Sequence, residues 1–159
     1  MLKKIMKNER GLTLIELLAV VVILGIIAAI AIPAIGGMIN NSKADAHIAN
    51  AKQIANAARL YVTTGDVVNK TGDTVTNTIT LKELIDAGHL DSIKDPSELS
   101  PNYNETSTVV KVNDPKKPET FIVTLVGGTD GSTKTYNTAN ASTVDAKDLK
   151  REHIVLEGR

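Results

Sequence analysis

The sequence predicts an α+β fold, in which one long N-terminal α-helix packs on a small C-terminal antiparallel β-sheet. Three observations lead there. Residues Leu12 to Ile35 form an apolar run of 24 residues with one charge, Glu16. A stripe of small apolar residues at helical spacing continues from that run as far as Tyr61. The last third then changes to short β-branched and apolar runs separated by turn residues. A chain of 159 residues has room for one domain plus an extension.

The first eleven residues are a basic leader, with Lys3, Lys4, Lys7 and Arg10 against a single acid, Glu9. The apolar segment 12–35 follows. As a helix its 24 residues reach about 36 Å, enough for a hydrocarbon core of roughly 30 Å. Length separates this reading from a buried strand of the same composition. The basic start is expected to stay cytoplasmic, with the rest of the chain outside. Pro33 lacks an amide hydrogen and crowds the carbonyl of Ala29, so a bend is expected there. Residues 36–159 form the head, which includes an amphipathic helical half over 36–62. In that half Ala44, Ile48, Ala51, Ala55 and Ala58 recur every three or four residues, widened by Ile54 and Tyr61. Lys43, Asp45, Asn50, Lys52, Asn56 and Arg59 take much of the remaining surface. Such small residues allow close approach to a sheet. Thr64-Gly65-Asp66 reads as the stop.

Residues 65–80 read as a loop with a short strand. A small helix is expected at Leu81–Ala87, capped by Thr80 with Glu83 three residues on and ended by Gly88. Strands are expected at Thr108–Val112 and Phe121–Val126, joined through the turn-rich 113–119, with Val110, Val112, Phe121, Val123 and Leu125 as core. Ser132–Tyr136 is a third candidate strand after the turn at 127–131, and His153–Leu156 a fourth. The four are read as one sheet, its inner face covered by the helix over 44–61. Residues 137–152 read as a surface loop.

Composition closes off several functions. Eighteen basic and eighteen acidic residues balance to zero, so no overall charge points to nucleic acid. Without cysteine there is no disulfide, thiol catalysis or cysteine metal site. His47, His89 and His153 are scattered and read as surface or boundary residues, with His89 packing at the core edge. Asp130 and Asp145 form no recognisable calcium loop. No nucleophile, base and acid order or phosphate loop stands out, so neither an enzyme nor a cofactor is expected. Lys116-Lys117 reads as a solvated hairpin tip, and Asn140-Ala141-Ser142 fits a glycosylation pattern that carries little weight here.

Glu16 needs a different account. A carboxylate inside a membrane-spanning helix is costly and persists where it has a partner or a job. It lies one helical turn beyond Leu12. If the chain were cut before Leu12, the new α-amine would be a cation in the same apolar slab, and one neutral pair would replace two stranded charges. Gly11-Leu12-Thr13-Leu14-Ile15-Glu16, with the basic leader and the apolar helix to Pro33, resembles the processing site of type IV prepilins and type II secretion pseudopilins. Leu84-Ile85-Asp86-Ala87-Gly88-His89-Leu90 followed by Pro96 is similar to their post-helix stretch. The resemblance implies cleavage after Gly11 by a membrane peptidase, N-methylation of Leu12, an assembly charge pair between Glu16 and the amine of Leu12, and kinking or melting of the helix at Gly25 and Pro33. Leu12 stands where phenylalanine is usual, but a large apolar side chain is kept.

The expected function is therefore a structural subunit of a type IV pilus or related surface filament, held in the cell membrane by a single span and later exported into the filament. Two alternatives stand beside it. One is the major pseudopilin of a secretion or DNA-uptake machine; the other is a monomeric, membrane-tethered binding module. The partners that the resemblance implies are further copies of the chain, a prepilin peptidase, an inner-membrane platform protein, indirectly an assembly ATPase, and minor pilins. Contact with DNA or a surface stays open. An ordinary secretory signal, cut near Ala29-Ile30-Ala31, is the plain competitor.

Overall fold

In the computed structural model, residues 13–64, 78–97, 101–113, 119–128, 134–137, 141 and 143–156 are described. The chain divides into two compact units, Met1–Met38 and Ile39–Arg159. One helix, α1, runs over Leu14–Thr63 and belongs to both. The elements after it are β1 (Thr78–Thr80), α2 (Leu81–Asp86), β2 (Val109–Val112), β3 (Phe121–Thr124), β4 (Val126–Gly127) and β5 (Lys134–Thr135). A long helix packs on a small antiparallel sheet, as the sequence predicts.

In the second unit, α1 buries Ala44, His47, Ala51, Ile54, Ala55, Ala57 and Ala58. Alanine costs no side-chain entropy in a helix and holds the sheet close. The opposing face comes from an antiparallel sheet in the order β1-β2-β3. Ile79 faces Val110, Val110 faces Val123 and Val112 faces Phe121 across the ladders. The two-residue period turns Val110, Val112, Phe121 and Val123 inward, and with Leu125 all five expected core residues are buried. Arg59 lays its guanidinium over the Phe121 ring, 4.8 Å from its centroid.

Helix α2 closes as its residues dictate. Thr80 and Glu83 form a reciprocal capping box. At the other end Gly88, with φ +75°, lets its amide donate to Ile85 and that of His89 to Leu84, a Schellman close. His89 then meets Tyr61 edge to face at the rim of the core.

Three expectations need correction. The strands do not form one sheet, because the expected run Phe121–Val126 breaks at Leu125. The Leu125 amide donates to Oδ1 of Asn137, whose Nδ2 donates to the carbonyl of Val123. One side-chain amide thus stands in for a neighbouring strand, and β4 turns away to pair with β5 as a separate two-stranded sheet. The candidate strand His153–Leu156 makes only an isolated bridge between Ile154 and Asn137, after a 3₁₀ turn at Arg151–His153. Segment 137–152 is not wholly surface loop: Ala141, Ala146 and Leu149 are buried, and Ala146–Asp148 forms a 3₁₀ turn. Arg151 clasps Asp45 of α1 with two guanidinium nitrogens and so fastens this segment to the helix. The expected loop at 65–77, Lys116-Lys117, Asp130 and Asn140 lie outside the described residues.

His47 is the third correction. It is fully buried, three residues after Ala44 and four before Ala51, on the core stripe itself. The core accepts it because both ring nitrogens are satisfied. Asn50 donates to the Tyr103 hydroxyl at 3.3 Å, and that hydroxyl shares a hydrogen bond with Nδ1 of His47 at 2.6 Å. Nε2 shares a hydrogen bond with Ser97 Oγ at 2.8 Å, so the neutral ring has one nitrogen to donate and one to accept. Asp95 lies beside it, 4.0 Å from Nε2, and takes hydrogen bonds from the Tyr136 hydroxyl at 2.5 Å and the Ser97 amide at 2.8 Å. Tyr136 also lies against His47, with ring centroids 4.1 Å apart and planes tilted by 36°. Gly127 makes room for this group, since a Cβ there would fall on Asp95 Oδ2 and the Tyr136 hydroxyl. Burial pushes both tyrosine hydroxyls up, which keeps them protonated as donors.

Burial pushes the His47 imidazole down to about 4, with Asp95 opposing the shift and Lys43 adding to it. Above pH 6.5 the ring is neutral in both folded and unfolded chains. Between pH 6.5 and 4 the unfolded chain takes up a proton that the folded chain refuses, so stability falls as pH falls, by about 3 kcal/mol in all. Unfolding of the full chain in detergent micelles, followed against pH, should show this slope, and His47→Gln should flatten it. A wild-type profile no steeper than that of His47→Gln would place the cause elsewhere. In the same micelles at pH 7.5, Phe121→Ala should cost about 3–5 kcal/mol, read from the urea midpoint. A cost below about 1 kcal/mol would mean that Phe121 is not a core anchor.

Candidate functional site

The first unit is described from Thr13 to Met38, all of it helix from Leu14 onward. Its composition would normally be hidden. Instead Leu14, Leu17, Leu18, Val21, Leu24, Ile27, Ile30 and Ile35 are all exposed, Leu14 to 84 %. By length and composition the helix can cross a membrane. The exposure runs all round it rather than along one stripe, as expected of a helix whose surroundings are supplied from outside the chain.

Glu16 lies in the first turn of this helix, and the structure gives it a local partner. Its Oε2 accepts from the Thr13 amide and from the Thr13 hydroxyl, each at 2.8 Å. The Glu16 amide donates back to Thr13 Oγ1 at 3.3 Å, and the Leu17 amide donates to the Thr13 carbonyl at 3.1 Å. Thr13 is thus the N-cap and Glu16 the third helical residue of a capping box. Two of the amides that a helix start leaves unpaired are satisfied, and a negative charge sits at the positive end of the helix dipole. Both bonds to the carboxylate fall on Oε2. Among the described residues, Oε1 takes none.

Thr13 is the site residue that sequence reasoning missed as a contributor. The signal was present: Thr-x-x-Glu before an apolar run is the pattern used above for Thr80 and Glu83. Gly11 and Leu12, the expected cleavage and methylation positions, lie outside the described residues. The structure does not bring Gly25 or Pro33 near Glu16, since both lie further along the same helix. A Cβ added at Gly25 would meet nothing within 4 Å, so no crowding within the chain requires glycine there. The helix is continuous through Pro33. Among the described residues, no group of three His, Cys, Asp or Glu side chains is placed to hold a metal ion.

Comparison with known families matches residues 6–32 to the prokaryotic N-terminal methylation motif, 27 of the 159 residues. No curated protein and no solved structure matches the chain. The motif spans Thr13, Glu16 and Gly25 and stops one residue short of Pro33. A methylation motif at the head of a long helix that packs on a small antiparallel sheet matches the general fold of type IV pilins and pseudopilins, a class of structural subunits.

Proposed function

We propose that the chain is the structural subunit of a type IV pilus or related surface filament, cut between Gly11 and Leu12, N-methylated on Leu12, and polymerised through its first helical half. One observation carries the reading: a single carboxylate, Glu16, at the start of an apolar helix half left uncovered from Leu14 to Ile39.

A membrane could cover that half, and so could identical halves packed side by side. Glu16 distinguishes the two. An anchor gains only a capped helix start from the carboxylate, which costs a few kcal/mol in a membrane-centred helix and less near its end. An assembling subunit gains a partner. After cleavage the Leu12 amine, with an ordinary pKa of about 7.7–8.0, enters the apolar bundle as a cation, and methylation keeps it basic. A buried cation needs a carboxylate beside it. The capping box gives Glu16 both roles at once. Oε2 holds the helix start through Thr13, while Oε1 has capacity for an amine on the neighbouring chain. Before assembly, the same box offsets part of the cost of keeping the carboxylate at the membrane edge. Further copies of the chain, a prepilin peptidase, a membrane platform protein, an assembly ATPase and minor pilins are the partners of such a cycle.

The test compares wild type and Glu16→Ala at matched membrane levels, with the N-terminus read by mass spectrometry and filaments by shearing and electron microscopy. Wild type should begin at methylated Leu12. Because four cations and one acid leave with the leader, its side-chain charge falls from zero to −3. Cleaved Glu16→Ala should insert and fold but lose filaments. Removing one member of a buried pair costs about 3–5 kcal/mol, which is more than about a hundredfold in a docking equilibrium. Normal filaments from cleaved Glu16→Ala would overturn the charge-pair mechanism, and a wild-type N-terminus beyond Ala31 would overturn the subunit reading itself.

A further inference from the structure

A second feature lies wholly within the head. Lys52, Asn56 and Arg59 stand at positions i, i+4 and i+7 of α1 and so share one face of the helix. Across from them is the 3₁₀ turn Ala146–Asp148, which contributes Ala146 and Lys147. Between the two is a cleft of about 180 Å³ lined by Lys52, Ala55, Asn56, Arg59, Ala146 and Lys147. Ala55 and Ala146 are small and buried, which leaves the space open, and among the described residues every charged residue lining it is a cation.

The cations are not equally free. Arg59 is held from two directions, by the Phe121 ring beneath its guanidinium and by Asn56 Oδ1, to which Nη1 donates at 2.9 Å. That bond also orients the Asn56 amide, whose remaining polar group, Nδ2, is a donor. Lys147 has the Asp145 carboxylate at 3.7 Å. Asp145 is buried and uses Oδ1 to accept from the Lys147 amide. Among the described residues, three lining cations against this one adjoining acid leave the cleft two positive charges in excess. Arginine in a fixed fork, with lysines as point charges around it, is the arrangement that recognises phosphate.

We propose that this cleft is a binding site for a doubly charged, phosphate-class oxyanion. Its excess of two charges matches a phosphate monoester, which carries about −1.5 to −2 at pH 7, better than it matches a single carboxylate. Arg59 supplies the pre-positioned fork. Lys52 and Lys147 close on the anion from opposite walls, and the floor of Ala55 and Ala146 sets the depth. The site depends on nothing in the first helical half, so it is independent of the filament reading. The shared chemistry has two sources, free inorganic phosphate or a phosphoryl group on a larger molecule.

The experiment titrates isotope-labelled full-length chain in maltoside micelles at pH 7.5 with inorganic phosphate, glycerol 3-phosphate, sulfate and acetate, following backbone amides by NMR. Phosphate should give saturable shifts centred on residues 55, 56, 59, 146 and 147, with a dissociation constant of about 1 mM. Acetate should bind about tenfold more weakly or worse. Lys52→Gln and Lys147→Gln should each weaken phosphate by about tenfold, the worth of one charge-assisted hydrogen bond. Arg59→Gln should do the same, with its amide spectrum compared to wild type because Arg59 also packs on Phe121. Lys111→Gln, an exposed cation on β2, should change nothing. Tighter binding of glycerol 3-phosphate than of phosphate assigns the site to a phosphoryl group on a larger molecule, and equal binding to free phosphate. Shifts that do not saturate, or a Lys111→Gln effect as large as that of Lys147→Gln, would overturn the proposal.

Discussion

Helix α1 runs for 50 residues, and a helix of that length holds only where its apolar side chains are covered. The requirement is met in two different ways along one element. From Ala44 to Ala58 the cover is the chain's own sheet, brought close by alanines and centred on Val110, Val123 and Phe121. From Leu14 to Ile39 the large apolar side chains stay exposed, and their cover has to come from a membrane or from other chains. Everything else in the molecule is arranged around this division. The buried core of the head is built from residues of the second unit. The Thr13–Glu16 box gives the first half a helix start built from its own residues.

The head achieves its fold with few large residues. One phenylalanine and three tyrosines serve the whole chain. Two of those tyrosines are placed in the polar group around His47 and Asp95 rather than in a purely apolar core. A buried group of this kind is stable only when every member is paired, and here a chain of hydrogen bonds runs from Asn50 through Tyr103 and His47 to Ser97. It ties the segment around Asp95 to α1 in one geometry, which an alanine-rich surface alone would not specify. The same burial makes the head sensitive to acid, because it disfavours a second proton on His47.

Most of the architecture was legible in the sequence, because two periods carry it. The stripe Ala44, Ala51, Ala55 and Ala58 marks the helix, and Val110, Val112, Phe121 and Val123 mark the sheet. Turn chemistry read equally well at Thr80, Glu83 and Gly88. The misses share one cause: they depend on which polar side chain meets which distant backbone or ring. Asn137 replaces a strand at Leu125, and nothing near position 137 signals it. His47 sits on the core stripe, and its partners arrive from residues 95–103 and 136. At the functional site, the lone carboxylate and its spacing from Leu12 were visible at once. Its bond to Thr13 follows from a pattern that was recognised at Thr80 and overlooked here.

The central claim is that the head is complete without the uncovered half of α1. The direct measurement is on a fragment of residues 40–159 in plain buffer at pH 7.5. Its oligomeric state would be read by sedimentation, its fold by tyrosine circular dichroism, and its stability by thermal unfolding beside the full chain in micelles. The account predicts a soluble monomer that unfolds cooperatively within about 5 °C of the head in the full chain, a difference of about 1 kcal/mol or less. A fragment that is unfolded or aggregates would show that the head needs what covers the first half, and would contradict the division on which the account rests.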